Sequence, residues 1–146
     1  AVSDSGAVYS WGASHEGQLG HGDEDSEHTP KLVEALREVR IVSVAAGNTH
    51  SLALTDTGEV FSWGDHENGR LGHGGAGGVL PTPKLLEALQ GVRVVSVAAG
   101  FLCSAAVSKD GATYSWGKGE DGCLGHGDEE DQQTPTLLEG LRALGA

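Results

Sequence analysis

The amino-acid sequence predicts an all-β fold: roughly three β-propeller blades of four antiparallel strands, arranged as an open arc. The first observation behind this is a long internal repeat. Gly-Ala-Val-Tyr-Ser-Trp-Gly at 6–12 returns as Gly-Glu-Val-Phe-Ser-Trp-Gly at 58–64 and as Gly-Ala-Thr-Tyr-Ser-Trp-Gly at 111–117. The second is that two further motifs keep the same phase: Leu-Gly-His-Gly at 19–22, 71–74 and 124–127, then Thr-Pro at 29–30, 82–83 and 134–135. The step from Trp11 to Trp63 is 52 residues, and from Trp63 to Trp116 it is 53. A period this long makes the structural unit a supersecondary module, and the architecture follows from how modules stack. The third observation is that one period holds four strand-like runs, the content of a propeller blade somewhat longer than the common ~40–45-residue type.

The elements of one period follow in order. Ile41-Val42-Ser43-Val44-Ala45-Ala46-Gly47, with its copy at 94–100, is a short β-branched run ending in small residues. It is expected to be a strand buried on both faces, with the Ala-Ala-Gly end where strands converge near a propeller axis. Ser51-Leu52-Ala53-Leu54-Thr55 and Glu59-Val60-Phe61-Ser62-Trp63 flank the loop Asp56-Thr57-Gly58, a hairpin pattern because glycine supplies the left-handed closing residue. Asp4-Ser5-Gly6 and Lys109-Asp110-Gly111 repeat the loop. In the strand after it Tyr9 alternates with Trp11, Phe61 with Trp63, and Tyr114 with Trp116; period two puts each pair on one face, as structural core against a neighbouring module. The Thr-Pro segment is expected to be the outermost strand, since proline cannot donate to an interior ladder. Glu34-Ala35-Leu36, Glu87-Ala88-Leu89 and Glu139-Gly140-Leu141 are too short to nucleate more than one helical turn.

The copies are incomplete. Ala1-Val2-Ser3 matches Ala106-Val107-Ser108, so the first repeat enters partway through a second strand. Residues 143–146 fall where a further inner strand would begin, and there are only two complete Val-Ala-Ala-Gly strands. The chain is read as a single propeller segment over 1–146, with repeats at about 1–39, 40–91 and 92–146. The absence of methionine and the start inside a repeat point to a piece of a longer protein. Under three blades cannot close, so apolar faces and strand edges are left for missing blades, or for a second copy making a six-blade ring, to cover. The isolated chain is therefore not expected to be a stable monomer.

Composition narrows the function. A net charge of −12 opposes direct nucleic-acid binding and binding to anionic membranes, which need clustered Lys and Arg. The longest apolar run, near 92–100, is broken by Arg93 and Ser96 and does not make a membrane span. Ala1 leads straight into the repeat with no secretory leader, and the two cysteines, Cys103 and Cys123, lack CxxC spacing. They are read as buried free thiols in a reducing, intracellular setting, cytoplasmic or nuclear.

The Trp-Gly, Gly-x-Leu-Gly-His-Gly and Val-Ala-Ala-Gly-x-x-His-Ser-Leu-Ala-Leu elements together resemble the regulator of chromosome condensation repeat over essentially the whole chain. That resemblance implies a propeller, usually of seven blades. Three functional readings follow, the first from the repeat architecture and the other two from the resemblance. The first is a non-catalytic protein–protein interaction module, a stiff ring presenting variable loops. The second is guanine-nucleotide exchange on a small GTPase, which would need a nucleotide-displacing insertion; the only length change here is one residue near 75–79. The third is a regulatory propeller of a multidomain ubiquitin ligase or kinase. The resemblance also raises light absorption through clustered tryptophans, but the Gly-Trp-Arg-His-Thr motif of such members is absent, and Trp11, Trp63 and Trp116 hold equivalent packing positions.

No catalytic, cofactor-binding or metal-binding set emerges from the pattern. His21, His73 and His126 recur in Leu-Gly-His-Gly, where blade symmetry spreads them around a ring and favours local hydrogen bonding over metal ligation. His50 has Cys103 as its counterpart, and neither has a base or nucleophile partner visible in the sequence. The acidic clusters are the candidate partner-binding residues: Asp23, Glu24, Asp25 and Glu27 in the first repeat, and Asp128, Glu129, Glu130 and Asp131 in the third. They follow Leu-Gly-His-Gly at one offset, where the second repeat has Gly75-Ala76-Gly77-Gly78-Val79-Leu80, and so are placed on one rim. Solvated loops kept acidic for solubility are the plain explanation; a docking surface for a basic protein segment is the functional one.

Overall fold

Strands account for nearly all the regular structure in the computed structural model, which describes residues 1–75 and 77–144. The second repeat forms a four-stranded antiparallel sheet of β3 (Ile41–Ala46), β4 (His50–Thr55), β5 (Val60–Asp65) and β6 (Val79–Leu85), in that spatial order. The third repeats it with β7 (Val94–Ala99), β8 (Cys103–Ser108), β9 (Thr113–Gly117) and β10 (Gln132–Leu137), followed by the short helix α1 (Glu139–Ala143). The first repeat contributes β1 (Tyr9–Gly12) paired with β2 (Glu27–Leu32), plus a single bridge between Val2 and Val8. That bridge is the remnant of a second strand. Among the described residues the first blade has no inner strand, and the three sheets form an open arc.

The sequence explains the order of strands. The hairpins close at Gly6, Gly58 and Gly111, whose φ values of 87°, 92° and 86° are costly for any residue with a Cβ. The prolines lie only in β2, β6 and β10, each the outer edge of its sheet, and the ladder to each of these strands slips in register around the proline segment. The single-turn segments Glu34–Leu36 and Glu87–Leu89 are 3-10 turns that plug Leu36 and Leu89 into the core.

The inner strands differ from expectation. They are not buried on both faces: Val42 and Val95 are each 51% exposed. The register of β3 on β4 slips between Ile41 and Ser43, and that of β7 on β8 between Val94 and Ser96, so both valines are bulge residues thrown out of the ladder.

The core lies between blades. Val8, Val33, Leu36, Ile41, Ala53 and Trp63 form one cluster joining blades one and two. Leu52, Leu54, Val60, Leu86, Leu89, Val94, Ala106 and Trp116 form the other, joining blades two and three. Trp63 and Trp116 therefore each pack on the blade before their own, and Phe61 and Tyr114 flank them half-buried. Tyr9 and Trp11 are corrections to the expected core, at 37% and 48% exposed. The packing is directional, and no described blade precedes the first. Beside Trp11 a cavity of about 420 Å³, bordered by Val8, Leu19, Val44 and Trp63 among others, opens where complete blades hold their inner strands.

Candidate functional site: the acidic rim

The β1–β2, β5–β6 and β9–β10 connections emerge at the same end of the arc, and one internal clamp fixes each of them. Ser10 Oγ donates to Leu19 O (2.6 Å) and meets His21 Nε2 at 3.0 Å. Ser62 does the same with Leu71 O (2.7 Å) and His73 Nε2 (2.8 Å), and Ser115 with Leu124 O (2.7 Å) and His126 Nε2 (2.9 Å). Because each hydroxyl proton goes to the carbonyl, the imidazole must donate, which assigns the Nε2–H tautomer. The neutral ring suits its setting at His73, whose pKa is pushed down to about 4 by burial first and Lys84 second. The Leu-Gly-His-Gly histidines are thus loop fasteners, each serving its own blade. Among the described residues no group of three or more His, Cys, Asp or Glu is arranged to hold a metal ion.

A second set of contacts ties the first two loops to the next blade. Gly22 N donates to Pro81 O (2.9 Å) and Gly74 N to Gln133 O (3.0 Å). Gly20 and Gly72 have φ of 82° and 81°, and a Cβ there would lie 2.8 Å from Trp63 Nε1 and 2.9 Å from Trp116 Nε1. Only glycine lets the neighbouring indole sit so close. Trp63 Nε1 and Ser51 Oγ both donate to Gln18 O (2.9 and 2.8 Å), and Ser104 Oγ donates to Arg70 O (2.9 Å). His50 Nε2 reaches Ser104 Oγ at 2.8 Å across the same seam, and burial, followed by the Arg70 charge, lowers its pKa to about 4.

Arg70 is the functional-looking residue that the sequence did not single out. Its side chain is 3% exposed, pairs with Asp65 at 2.7 Å, and donates from Nε to Glu67 O (2.9 Å) and from Nη1 to Thr49 Oγ1. It is a buried brace under the rim of blade two. The first and third repeats carry Gln18 and Cys123 there, so an aligned column with one cation was the available signal.

The eight acidic candidates divide into supports and free charges. Asp23 Oδ1 accepts from Asp25 N (3.1 Å) and Asp128 Oδ1 from Glu130 N (3.0 Å), so both loops are wound by the same side-chain turn. Glu27 pairs with Lys31 at 2.6 Å. Asp131 accepts from Gly119 N (2.9 Å) and from Asn68 Nδ2 of the neighbouring blade (3.1 Å). Glu24, Asp25, Glu129 and Glu130 are left exposed, with no salt bridge among the described residues. The intervening loop of blade two is neutral around Gly74, Gly75, Gly77 and Gly78; Ala76 lies outside the described residues, and Val79 and Leu80 already belong to β6. The cysteines correct the expectation of burial: both are free, Cys103 half-buried and Cys123 exposed.

A family profile described as the Regulator of chromosome condensation (RCC1) repeat matches residues 5–54, 57–107 and 110–144. The chain belongs to the RCC1 repeat family. Among curated proteins it is 46% identical over 144 residues to human E3 ubiquitin-protein ligase HERC2, and 46% identical over 136 residues to the Ultraviolet-B receptor UVR8 of Arabidopsis thaliana. Those alignments cover 97% and 92% of this chain, but only 3% of HERC2 and 31% of UVR8. Among solved structures, yeast RCC1 (Prp20) bound to Kap60 matches with a TM-score of 0.81 and 33% identity, covering 94% of this chain and 34% of that one. Prp20p of Saccharomyces cerevisiae, described with its binding properties to Gsp1p and histones, matches at 0.79 and 34%, covering 94% and 35%. The RCC1 repeats here are propeller blades in an open arc, and the blade-to-blade contacts above are how these repeats stack.

Proposed function

We propose that this RCC1-repeat segment is a non-catalytic protein-docking module whose rim takes a basic, solvent-exposed segment of a partner protein. The carrying observation is that Glu24 and Asp25 in blade one, and Glu129 and Glu130 in blade three, are displayed exposed by identically wound loops and form no salt bridge among the described residues. The neutral loop of blade two lies between them. Like-signed lobes on a stiff support steer an oppositely charged partner and set its register. The description of Prp20p with histones, which are basic proteins, supports this direction by analogy. Further blades of the same kind, in the same chain or a second copy, meet the two open faces of the arc. Gsp1p in that description supports a second reading, engagement of a small GTPase, with a different expected readout.

The test is binding of core histones to the full chain and to a variant carrying Glu24→Gln, Asp25→Asn, Glu129→Gln and Glu130→Gln. The variant is expected to bind at least tenfold more weakly at low salt, and the difference to shrink as ionic strength rises past about 0.15 M, where the Debye length is ~8 Å. Equal affinity of the two proteins at low salt overturns the reading. Accelerated nucleotide release from a small GTPase would favour the second one instead.

A further inference from the structure

The chain contains two cysteines in 146 residues, and the fold brings them to one place. Cys103 opens β8, and Cys123 follows the 3-10 turn Glu120–Gly122 beyond β9. A backbone hydrogen bond from Lys118 N to Leu102 O (3.0 Å) holds that turn against the start of β8. Both thiols line a single surface groove of about 210 Å³ with Phe101 and Lys118. Cys123 Sγ also donates to Lys118 O (3.0 Å).

Blade two shows that the pairing of these two positions is a property of the repeat. There they hold His50 and Arg70, bridged by Ser104 Oγ, which lies 2.8 Å from His50 Nε2 and donates to Arg70 O at 2.9 Å. In blade two both are buried, with His50 against Ser104 of blade three; in blade three Cys103 is half-buried and Cys123 exposed. The substitution is concerted, since both members of the pair are cysteine in the same blade.

We propose that Cys103 and Cys123 are a reversible disulfide site, oxidised by a low-molecular-weight disulfide. The Cys123 thiolate, the exposed one, attacks a sulfur of the small disulfide; a mixed disulfide forms on Cys123 and one small thiolate leaves, taking up the proton that Cys123 gave up. The Cys103 thiolate then attacks Cys123 Sγ, the mixed disulfide breaks, and the second small thiol departs with the proton from Cys103. Two protein thiols are oxidised and one small disulfide is reduced to two thiols. Burial raises the Cys103 pKa, with the neighbouring Cys123 adding to it, which suits a resolving thiol that acts only once its partner is activated. The product staples the rim turn carrying Glu120 and Asp121 to β8.

The experiment incubates the full chain with oxidised glutathione, alkylates remaining thiols, and records intact mass and a peptide map. The expected product is monomeric, two hydrogens lighter than the reduced chain, and yields one peptide pair joining Cys103 to Cys123. In Cys103→Ser the expected product is a persistent glutathione adduct on Cys123; in Cys123→Ser, thiol loss slows at least tenfold. A stable adduct on wild-type Cys123, a disulfide between chains, or two thiols still free under oxidation that modifies Cys103→Ser overturns the proposal. The wild-type map decides by itself if either variant misfolds.

Discussion

Trp63 and Trp116 are 2% and 0% exposed, whereas Trp11, at the same place in its repeat, is 48% exposed. The local sequence Tyr/Phe-Ser-Trp-Gly is nearly identical at all three, and so is the Ser–His–carbonyl clamp behind it. The difference is the neighbour. Each tryptophan is buried by the blade before it, so a blade supplies half of its core and borrows the other half. In this fold hydrophobic stabilisation belongs to the seams between repeats, as expected of quasi-one-dimensional arrays.

Breaking a seam should cost far more than trimming an open face. Trp116→Ala removes the largest fully buried side chain and is expected to cost about 3–5 kcal/mol, against under about 1 kcal/mol for Trp11→Ala. Denaturant midpoints of the two variants check this, and equal losses would break the comparison. Next in size is the glycine against the indole. Gly72→Ala combines a φ of 81° with a Cβ 2.9 Å from Trp116 Nε1, for a cost of about 2–4 kcal/mol. Gly22→Ala has a φ of 91° but nothing within 4 Å, and should lose only about 1 kcal/mol.

A pH dependence of stability runs through the buried histidines, His50 at the seam between blades two and three and His73 in the rim clamp of blade two. His50 has a folded pKa lowered to about 4, against an ordinary 6.5, so the unfolded chain binds the extra proton. Its contribution is therefore fully present above about pH 6.5, is lost as pH falls from there toward 4, and is worth up to about 3 kcal/mol. His50→Cys, which installs the blade-three residue, is expected to lower stability at pH 7 but flatten the curve between pH 6.5 and 4. An unchanged acid limb in a thermal-melt series would remove His50 from the account.

Much of this fold was legible in the sequence because its signals are local and repeated. The 52- and 53-residue steps, the Gly-closed hairpins and the Thr-Pro edge strands each rest on a backbone preference that needs no tertiary partner. The direction of packing was not legible, since Trp11 and Trp63 look alike until the order of blades in space is known. The bulges at Val42 and Val95 were hidden for a similar reason: the runs 41–47 and 94–100 read equally well as regular strands. At the rim, the sequence marked eight acids alike. Only geometry separates Asp131, which braces Asn68 and Gly119, from Glu129, which faces water. Arg70 and the groove shared by Cys103 and Cys123 escaped because their partners meet only after the strands and turns between them have folded.

Tryptophan fluorescence quenching by acrylamide in dilute solution tests the directional packing most directly. One of the three tryptophans is expected to be readily quenched, and Trp11→Phe should abolish that accessible component while Trp63→Phe and Trp116→Phe leave it intact. An accessible component that survives Trp11→Phe, or three equally shielded tryptophans, would contradict the claim that each blade is sealed by the one before it.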